Sequence, residues 1–494
     1  MSADIGSICR PFTALVVESM RSKHHHSSIK QVCLVLVVWW IMASILAATP
    51  SLTTQINRLI FDKRYKKTAF SVSVFDLSAS KSIYRFRPER LLIPASNMKL
   101  VTTASALDYF GSDYQFITKA GLRGNDLVIV GCGNPILGDA VFLEKSGKGI
   151  DAFFAVIATA LQKRHVTEIK GDIILETSLF DDVRFHPSWN IKDADKWYTA
   201  QVSALNYNDN CLDITFKPLG VNQHVGYALS PNTAYMQLIN KCVTVGKGHN
   251  VIGVSRNHDS NDATMFGKCR NTQTVYVTVD RPASFFGYAL AEYLGKKGIS
   301  IKGELIEGDL SPDKINDMTV IATERTMIGS VVSECNQRSL NLAAECLFKL
   351  VGSSAGLPGS WQSGQHRVKR FLDTIGSATD GVVLDDGSGL SRKNLLSTDL
   401  IVSVLKHMYH SNHRDLYMHS LATGQVGTLK KSRRFSEEKY RGKVFAKTGF
   451  IQGVWALGGY CQNSAGKWHA FSMIANKGVS ARKTMDDVVK VIMQ

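Results

Sequence analysis

The stretch Leu91-Leu-Ile-Pro-Ala-Ser-Asn-Met-Lys-Leu100 decides how the rest of the chain is interpreted. It holds Ser96 and Lys99, and Pro94 just ahead of them suits the start of a helix. Because residues three apart lie on one face of a helix, the serine Oγ and the lysine Nζ can meet there. A serine hydroxyl is a poor nucleophile until a base removes its proton, and a lysine kept neutral by apolar neighbours can be that base. The spacing therefore predicts a nucleophile at Ser96 and a general base at Lys99.

Partner motifs are needed, because S-x-x-K spacing alone is common in this sequence. It also occurs at Ser27, Ser78, Ser311, Ser403, Ser436, Ser464 and Ser480. Ser339 and Asn341 form an S-x-N motif ahead of an apolar helical run. A serine and an asparagine two residues apart cannot share a helix face, which predicts a turn before that helix. Lys447-Thr448-Gly449 is the only K-T-G in the chain and is predicted to lie on a strand, with Gly449 allowing close approach of a substrate.

Length and composition indicate a globular protein. The 494 residues are enough for two or three domains, and 44% hydrophobic with 20% charged residues is typical of folded chains. The net charge of +16 indicates either a solvated basic surface or attraction to an acidic polymer, such as an anionic cell envelope. No nucleic-acid-binding motif is present, so nucleic acid is not an expected partner.

The N-terminus predicts export. Residues 32–48 form an uncharged apolar run, with basic residues before it and a polar segment after it, as in a secretory signal peptide. Ala47 is the best cleavage position, but Ile45 two residues before it is not small. An uncleaved anchor is therefore the alternative, since 17 apolar residues can barely cross a bilayer. Residues 1–48 are predicted to be a signal peptide or a membrane anchor, and the protein to be periplasmic, free or attached to the inner membrane.

Cysteine and histidine patterns give no metal site. Nine cysteines are present and seven follow the predicted leader, an odd number that leaves at least one thiol free. Cys242 and Cys269 flank a polar loop and are the best pair for one disulfide in an exported chain. His407, His410 and His413 are three apart, but no fourth ligand is evident, so no metal is expected.

The first part of the predicted catalytic domain covers residues 49–118. A hairpin of strands at 69–75 and 83–86 leads directly into the helix that starts at Ser96. Gly111 is predicted to end that helix.

The predicted secondary structure then changes from mostly helical to short strands and turns. Residues 119–325 are predicted to be a mostly β insertion, and residues 326–494 the second part of the catalytic domain, ending in strands around the K-T-G motif and a closing helix.

The order S-x-x-K, S-x-N, K-T-G is the signature of penicillin-recognising serine enzymes. The context of the motifs is more specific, and these segments resemble the low-molecular-mass class C penicillin-binding proteins: PASNMKLVTTASAL, GDIILETSLFDD, SALNYNDNCLDI, RSLNLAAECLFK, DDGSGLSRKNLLS, ATGQVGTLKK and AKTGFIQGVWALGGY. The resemblance runs from about residue 55 to the C-terminus. It implies an α+β fold of the β-lactamase and transpeptidase type, with an antiparallel sheet between helical layers and an insertion of two small, mostly β domains.

The resemblance also implies an activity. Members are D-alanyl-D-alanine carboxypeptidases and DD-endopeptidases that act on peptidoglycan stem peptides through an acyl-enzyme, here on Ser96. β-Lactams bind such enzymes as covalent inhibitors, and no cofactor or metal is needed. Two alternatives are a β-lactamase-like hydrolase and a catalytically silent envelope-binding protein. The long insertion argues against the first, and the presence of all three motifs against the second.

The family assigns roles to residues of the second and third motifs. Ser339 and Asn341 would relay the proton and hold the substrate amide, and Lys447 and Thr448 would bind the terminal carboxylate. The backbone N–H groups of Ser96 and Phe450 would form the oxyanion hole. Phe450 departs from the small residue that is common at this position.

Further residues are implied for the rest of the substrate. Arg392 and Gln452 match positions that line the pocket for the stem-peptide side chain. Glu176, with Asp181 as the alternative, matches the acidic residue that binds the free amine of diaminopimelate.

The two lysines are expected to differ in charge. Burial should keep Lys99 neutral as the base, and the positive charge of Lys447 should favour this further. Lys447 is expected to stay charged, because an anionic substrate carboxylate lies beside it.

Overall fold

The structure is a computed structural model that describes residues 50–308, 310, 312–353 and 357–494. The signal peptide or anchor predicted over residues 1–48 lies outside the described residues. No helix in the part described is long and apolar enough to cross a membrane. The chain forms two units, residues 1–57 and residues 58–494, and the fold given below is that of the second.

The described chain contains both helices and strands. The helices, in chain order, are α1 Leu52–Ile60, α2 Met98–Phe110, α3 Ala140–Glu144, α4 Ala152–Gln162, α5 Pro282–Lys296, α6 Pro312–Asn316, α7 Ile328–Gln337, α8 Asn341–Ser353, α9 Trp361–Thr374, α10 Thr398–His410, α11 Arg414–His419, α12 Gly427–Lys431 and α13 Arg482–Ile492. The strands, in chain order, are β1 Ala69–Asp76, β2 Lys81–Phe86, β3 Gln115–Arg123, β4 Asp126–Val130, β5 Glu168–Ile169, β6 Ile173–Glu176, β7 Cys211–Lys217, β8 Gly226–Ser230, β9 Gln237–Thr244, β10 Val251–Arg256, β11 Asp262–Cys269, β12 Gln273–Thr278, β13 Ser300–Ile301, β14 Leu305–Gly308, β15 Thr319–Met327, β16 Val444–Ile451, β17 Val454–Gln462 and β18 Trp468–Asn476.

One antiparallel sheet unites the two ends of the chain. Its order is β16-β17-β18-β1-β2, and β18 pairs with β1 from Ala69 opposite Asn476 onward. Every residue of β18 except Trp468 is buried, because helices and neighbouring strands cover both faces. Helix α10 packs on β1 and β18, and α13 packs on β17. The hairpin predicted ahead of Ser96 is therefore one edge of this sheet.

The helix predicted to start at Ser96 is present and nearly all buried. Ala95–Asn97 form a tight 3-10 turn that continues into α2, and Gly111 ends the helix with a φ of 76°. Every residue from Met98 to Leu107 is buried. The helix is therefore surrounded on all sides, and its buried polar side chains make hydrogen bonds, as Thr102 does to the Gly387 carbonyl at 2.7 Å.

The chain between β3 and β15 builds the remaining sheets. A five-stranded sheet has the order β14-β6-β4-β3-β15, and two three-stranded sheets and a two-stranded pair complete the set. These strands enclose an apolar core of their own, which includes Phe154, Leu212 and Phe286. Among the described residues, no strand of this part joins the sheet that carries β16. Whether the part folds separately stays a prediction.

A loop segment of the insertion nevertheless packs on the catalytic helices. Trp189 donates from its indole nitrogen to Asp386 Oδ2 at 2.9 Å. Lys349 of α8 is fully buried, donates from Nζ to the carbonyl of Val183 at 2.8 Å, and lies over the Trp361 ring. The insertion is thus held to the catalytic domain by buried polar contacts.

The predicted disulfide between Cys242 and Cys269 is wrong in this structure, where all seven cysteines of the described chain are free. The two residues lie in the parallel neighbours β9 and β11, but Cys242 is opposite Gly267 and Cys269 is opposite Thr244. An offset of two residues in adjacent strands separates the Cα atoms by about 8 Å, which is more than a disulfide allows.

Candidate active site

Ser96 and Lys99 meet as the spacing predicts. Ser96 is half-buried in the 3-10 turn, whereas Lys99 one turn later is fully buried. Lys99 Nζ lies 3.1 Å from Ser96 Oγ, 2.7 Å from Asn341 Oδ1 and 2.8 Å from the carbonyl of Ser388. Three oxygen atoms therefore fix the amine against the serine hydroxyl.

The S-x-N motif bridges the two lysines. Ser339 lies in a turn with a φ of 62°, and Asn341 is the first residue of α8, as predicted. Lys447 Nζ donates to Ser339 Oγ at 2.9 Å, while Asn341 accepts from Lys99. A left-handed backbone is uncommon for serine. Here it lets two residues that are two apart serve different lysines.

The K-T-G motif lies on the edge strand β16. Lys447 is buried and also donates to the carbonyl of Thr448 at 2.8 Å. A Cβ on Gly449 would lie 3.0 Å from the carbonyl oxygen of Pro94 and 3.3 Å from the amide nitrogen of Asn97. The close neighbour of this glycine is therefore the turn that carries Ser96, and the glycine lets strand and turn approach each other.

Asn97 is a site residue that the sequence analysis missed. Its amide is buried and is oriented to donate to the carbonyl of Lys447 at 2.9 Å and to accept from the Gly458 amide at 3.1 Å. It therefore ties the Ser96 turn to both β16 and β17. The available signal in the sequence was an asparagine that directly follows the candidate nucleophile within an apolar stretch.

Two buried carboxylates hold the loop beneath Lys99. Glu345 accepts from the amides of Gly387 and Ser388 at 2.9 and 2.8 Å. Asp386 accepts from the Gly389 amide at 2.7 Å. These bonds position the Ser388 carbonyl that accepts from Lys99. Sequence analysis predicted only a turn-rich loop here, although Glu345 stands out as an acidic residue in an apolar helix.

The surroundings of the two lysines lower the pKa of both. Burial lowers the pKa of Lys99, and Cys335, Glu345 and Asp386 partly offset this. Burial, together with the charge of Lys99, holds the pKa of Lys447 well below its ordinary value. No carboxylate offsets burial at Lys447 as Glu345 and Asp386 do at Lys99. An anionic ligand beside Lys447 would favour its protonated form.

The residues predicted to bind the substrate side chain and amine differ in exposure and in their partners. Arg392 and Gln452 are both exposed and meet, with Arg392 Nη1 donating to the Gln452 carbonyl at 3.0 Å. Glu176 is buried and accepts from the amides of Ser178 and Leu310. Asp181 forms an ion pair with Lys349. Both acidic candidates are therefore engaged within the fold, and neither bonds to the three motifs.

The insertion clamps the S-x-N motif from both sides. Arg338, just before Ser339, donates to Asp139, Asp209 and Glu334, of which the two aspartates belong to the insertion. On the other side, Asn341 Nδ2 donates to the carbonyl of Tyr198 at 2.7 Å, which is also in the insertion.

Arg338→Gln is expected to destabilise the protein by about 3–5 kcal/mol, because it leaves the carboxylate of Asp139 buried without its cation. Urea unfolding measures this. Arg392→Gln, which removes an exposed arginine, is the matched control and should change stability by less than about 0.5 kcal/mol. Equal losses in both variants would contradict the clamp.

In the described part of the chain, no group of His, Cys, Asp and Glu residues is arranged to hold a metal ion. Of the three histidines considered above, His407 lies 2.8 Å from Asp108 through its Nε2.

Known proteins are similar to this chain in sequence and in fold. A family model described as the D-Ala-D-Ala carboxypeptidase 3 (S13) family matches residues 52–494. A D-alanyl-D-alanine carboxypeptidase of Actinomadura sp. (strain R39) is 30% identical over 455 residues, which cover 87% of this chain and 82% of that protein. The D-alanyl-D-alanine carboxypeptidase DacB of Haemophilus influenzae is 24% identical over 431 residues, which cover 81% of this chain and 84% of that protein.

A solved structure supports the fold class. The crystal structure of penicillin binding protein 4 (dacB) from Haemophilus influenzae matches with a TM-score of 0.74 at 20% identity, over 88% of this chain and 98% of that chain. The predicted α+β, penicillin-recognising fold is thereby confirmed. Since the family model covers the chain from α1 to its last residue, the protein belongs to the D-Ala-D-Ala carboxypeptidase 3 (S13) family.

Proposed function

We propose that this protein is a serine-type D-alanyl-D-alanine carboxypeptidase and DD-endopeptidase that cleaves peptidoglycan stem peptides. The observation that carries the proposal is the contact of a buried Lys99 amine with the half-buried Ser96 hydroxyl, at 3.1 Å. Around this contact the other two motifs converge, with Asn341 on Lys99 and Ser339 on Lys447. The family of the chain and the names of its relatives support the same reaction.

Acylation starts at Ser96. Its Oγ attacks the carbonyl of the penultimate D-alanine and its proton passes to the neutral amine of Lys99. The backbone N–H groups of Ser96 and Phe450 stabilise the oxyanion. The C–N bond then breaks, and the proton returns to the leaving nitrogen with the Ser339 hydroxyl as relay.

The terminal carboxylate binds at Lys447 and Thr448. Its negative charge favours the protonated form of Lys447, whose pKa is lowered in the free site. Substrate binding thus supplies the charge separation between the lysines. Water then attacks the acyl ester with Lys99 as base, which releases the shortened peptide and restores the Ser96 hydroxyl.

β-Lactams act as covalent inhibitors in this proposal. The ring amide replaces the scissile bond, and the opened ring keeps the leaving nitrogen tethered in the site. Arg392 and Gln452, which meet at the surface, line the pocket for the stem-peptide side chain. Glu176 is the proposed partner of the substrate amine. To bind that amine, its carboxylate exchanges its hydrogen bonds from the Ser178 and Leu310 amides for the substrate.

The protein is further proposed to act in the periplasm, on the basis of the apolar run at residues 32–48 and the basic residues before it. A fusion of alkaline phosphatase after residue 60 should be active in a bacterial host, because that enzyme folds only after export. A stable but inactive fusion would contradict export.

Ser96→Ala should abolish labelling by fluorescent penicillin and the release of D-alanine, because the attacking oxygen is gone. Labelling on a gel and intact mass measure this. The control is Ser403→Ala, which removes the serine of another S-x-x-K on a helix, where Lys406 lies over the Phe75 ring. This variant should label like the wild type, and retained labelling of a folded Ser96→Ala protein would refute the assignment.

Lys99→Arg should slow acylation about a thousandfold, because a guanidinium does not lose its proton at working pH. Lys447→Arg keeps the positive charge and should retain part of the rate. Acylation rate constants with one penicillin compare the two. In the wild type the rate should rise with pH as Lys99 loses its proton. A near wild-type rate for Lys99→Arg would mean that another group is the base.

A further inference from the structure

A groove adjoins the K-T-G strand on the side of α12 and α13. One cavity of about 190 Å³ is bounded by Thr448 and Phe450 of β16. A second cavity of about 270 Å³ shares Ser432, Arg434 and Arg482 with the first. The two cavities are therefore adjacent. We call this space, from Thr448 at one end to the second cavity at the other, the basic groove.

The basic groove carries unneutralised positive charge. Five lysines and arginines line it, against two acidic residues: Arg433, Arg434, Arg482, Lys483 and Lys490 against Glu437 and Asp486. Arg434 is largely buried and is held by Asp486, with Nε at 2.8 Å from Oδ1. Arg482 and Lys483 are exposed and have no carboxylate partner among the described residues. Such a surface attracts an anionic ligand.

One wall of the groove is apolar. Phe450 is 58% exposed, and its ring lies 6.1 Å from that of Trp455. This is the residue that replaces the small side chain common after K-T-G. An aromatic pair with one exposed and one half-buried ring, beside cations without a carboxylate partner, suits a ligand with both aliphatic and acidic groups.

The position of the groove identifies the ligand, given the proposed function. A short substrate ends at Thr448, because its leaving group is a single D-alanine whose carboxylate binds there. A cross-linked substrate continues, because its leaving nitrogen belongs to a second stem peptide with aliphatic and carboxylate groups. We infer that the basic groove binds this second, acidic peptide and so favours cleavage of cross-linked peptides.

The chemistry needs no further reactant. The bond that breaks joins the D-alanyl carbonyl to the side-chain amine of the second peptide. The carbonyl passes to Ser96, the amine takes the proton, and water hydrolyses the ester as before. Only the leaving group differs, and the groove holds it during acylation.

The test compares two substrates with the full-length protein. Arg482→Gln/Lys483→Gln should lower kcat/KM for a cross-linked dimer of stem peptides about fivefold to tenfold, mainly through KM. Release of D-alanine from a short pentapeptide and acylation by penicillin should stay within about twofold. Added salt should weaken dimer cleavage by the wild type more than D-alanine release.

Two controls separate this from general charge effects. Lys369→Gln/Arg370→Gln removes the same charges from the exposed face of α9, no residue of which lines the groove, and should leave dimer cleavage unchanged. A dimer with amidated carboxylates on its leaving half should be insensitive to Arg482→Gln/Lys483→Gln.

Equal effects of the two double variants, equal losses on both substrates, or no loss on the acidic dimer would each overturn the inference. A wild-type protein that is not acylated and releases no D-alanine would instead contradict the proposed function, and the inference with it. Because the short substrate reaches no further than Thr448 and does not extend to Arg482 and Lys483, these failures are distinguishable.

Discussion

Two buried lysines that share one site are the constraint on which the rest of the structure depends. Taking an ammonium group out of water is costly, and a second one nearby adds repulsion. Each lysine donates hydrogen bonds to oxygen atoms. Lys99 donates to Ser96, Asn341 and the Ser388 carbonyl, and Lys447 donates to Ser339 and the Thr448 carbonyl. The two carboxylates beneath the Ser388 loop offset burial at Lys99 only. In the proposed reaction, the carboxylate of the substrate would be the anionic partner that Lys447 lacks.

Close backbone packing holds this arrangement in place. The turn that carries Ser96 lies between strand β16 and the loop after Asp386. A Cβ on Gly389, which has a φ of 80°, would come within 1.9 Å of the Ala95 carbonyl oxygen, and Gly449 faces the same turn from the strand. Asn97 joins this turn to the sheet through two hydrogen bonds of its side-chain amide. The turn that carries Ser96, the proposed nucleophile, is therefore held in place before any ligand binds, which is the preorganisation that the proposed acyl transfer needs.

The insertion takes part in the site, although it forms its own sheets. Its aspartates hold Arg338 and its Tyr198 carbonyl holds Asn341, so that the S-x-N motif depends on residues more than 120 positions away. Catalytic and inserted parts are joined by buried charges, whose loss is costly. In the proposed reaction, residues 119–325 would thus support the S-x-N motif without contributing a catalytic side chain.

The sequence by itself determined the local features of this protein. Helical spacing brought Ser96 and Lys99 together, strand-like segments predicted the hairpin and the K-T-G strand, and the three motifs with their flanking segments indicated the family. These signals are short-range, so one sequence contains them. Only the tertiary structure decided which distant groups meet: Asn97 with β17, Glu345 with the Ser388 loop, and Glu176 with the insertion backbone rather than the motifs. The strand register separated Cys242 from Cys269, and burial lowered the pKa of Lys447. Such properties depend on contacts between residues tens to hundreds of positions apart, and neither spacing nor composition encodes those contacts.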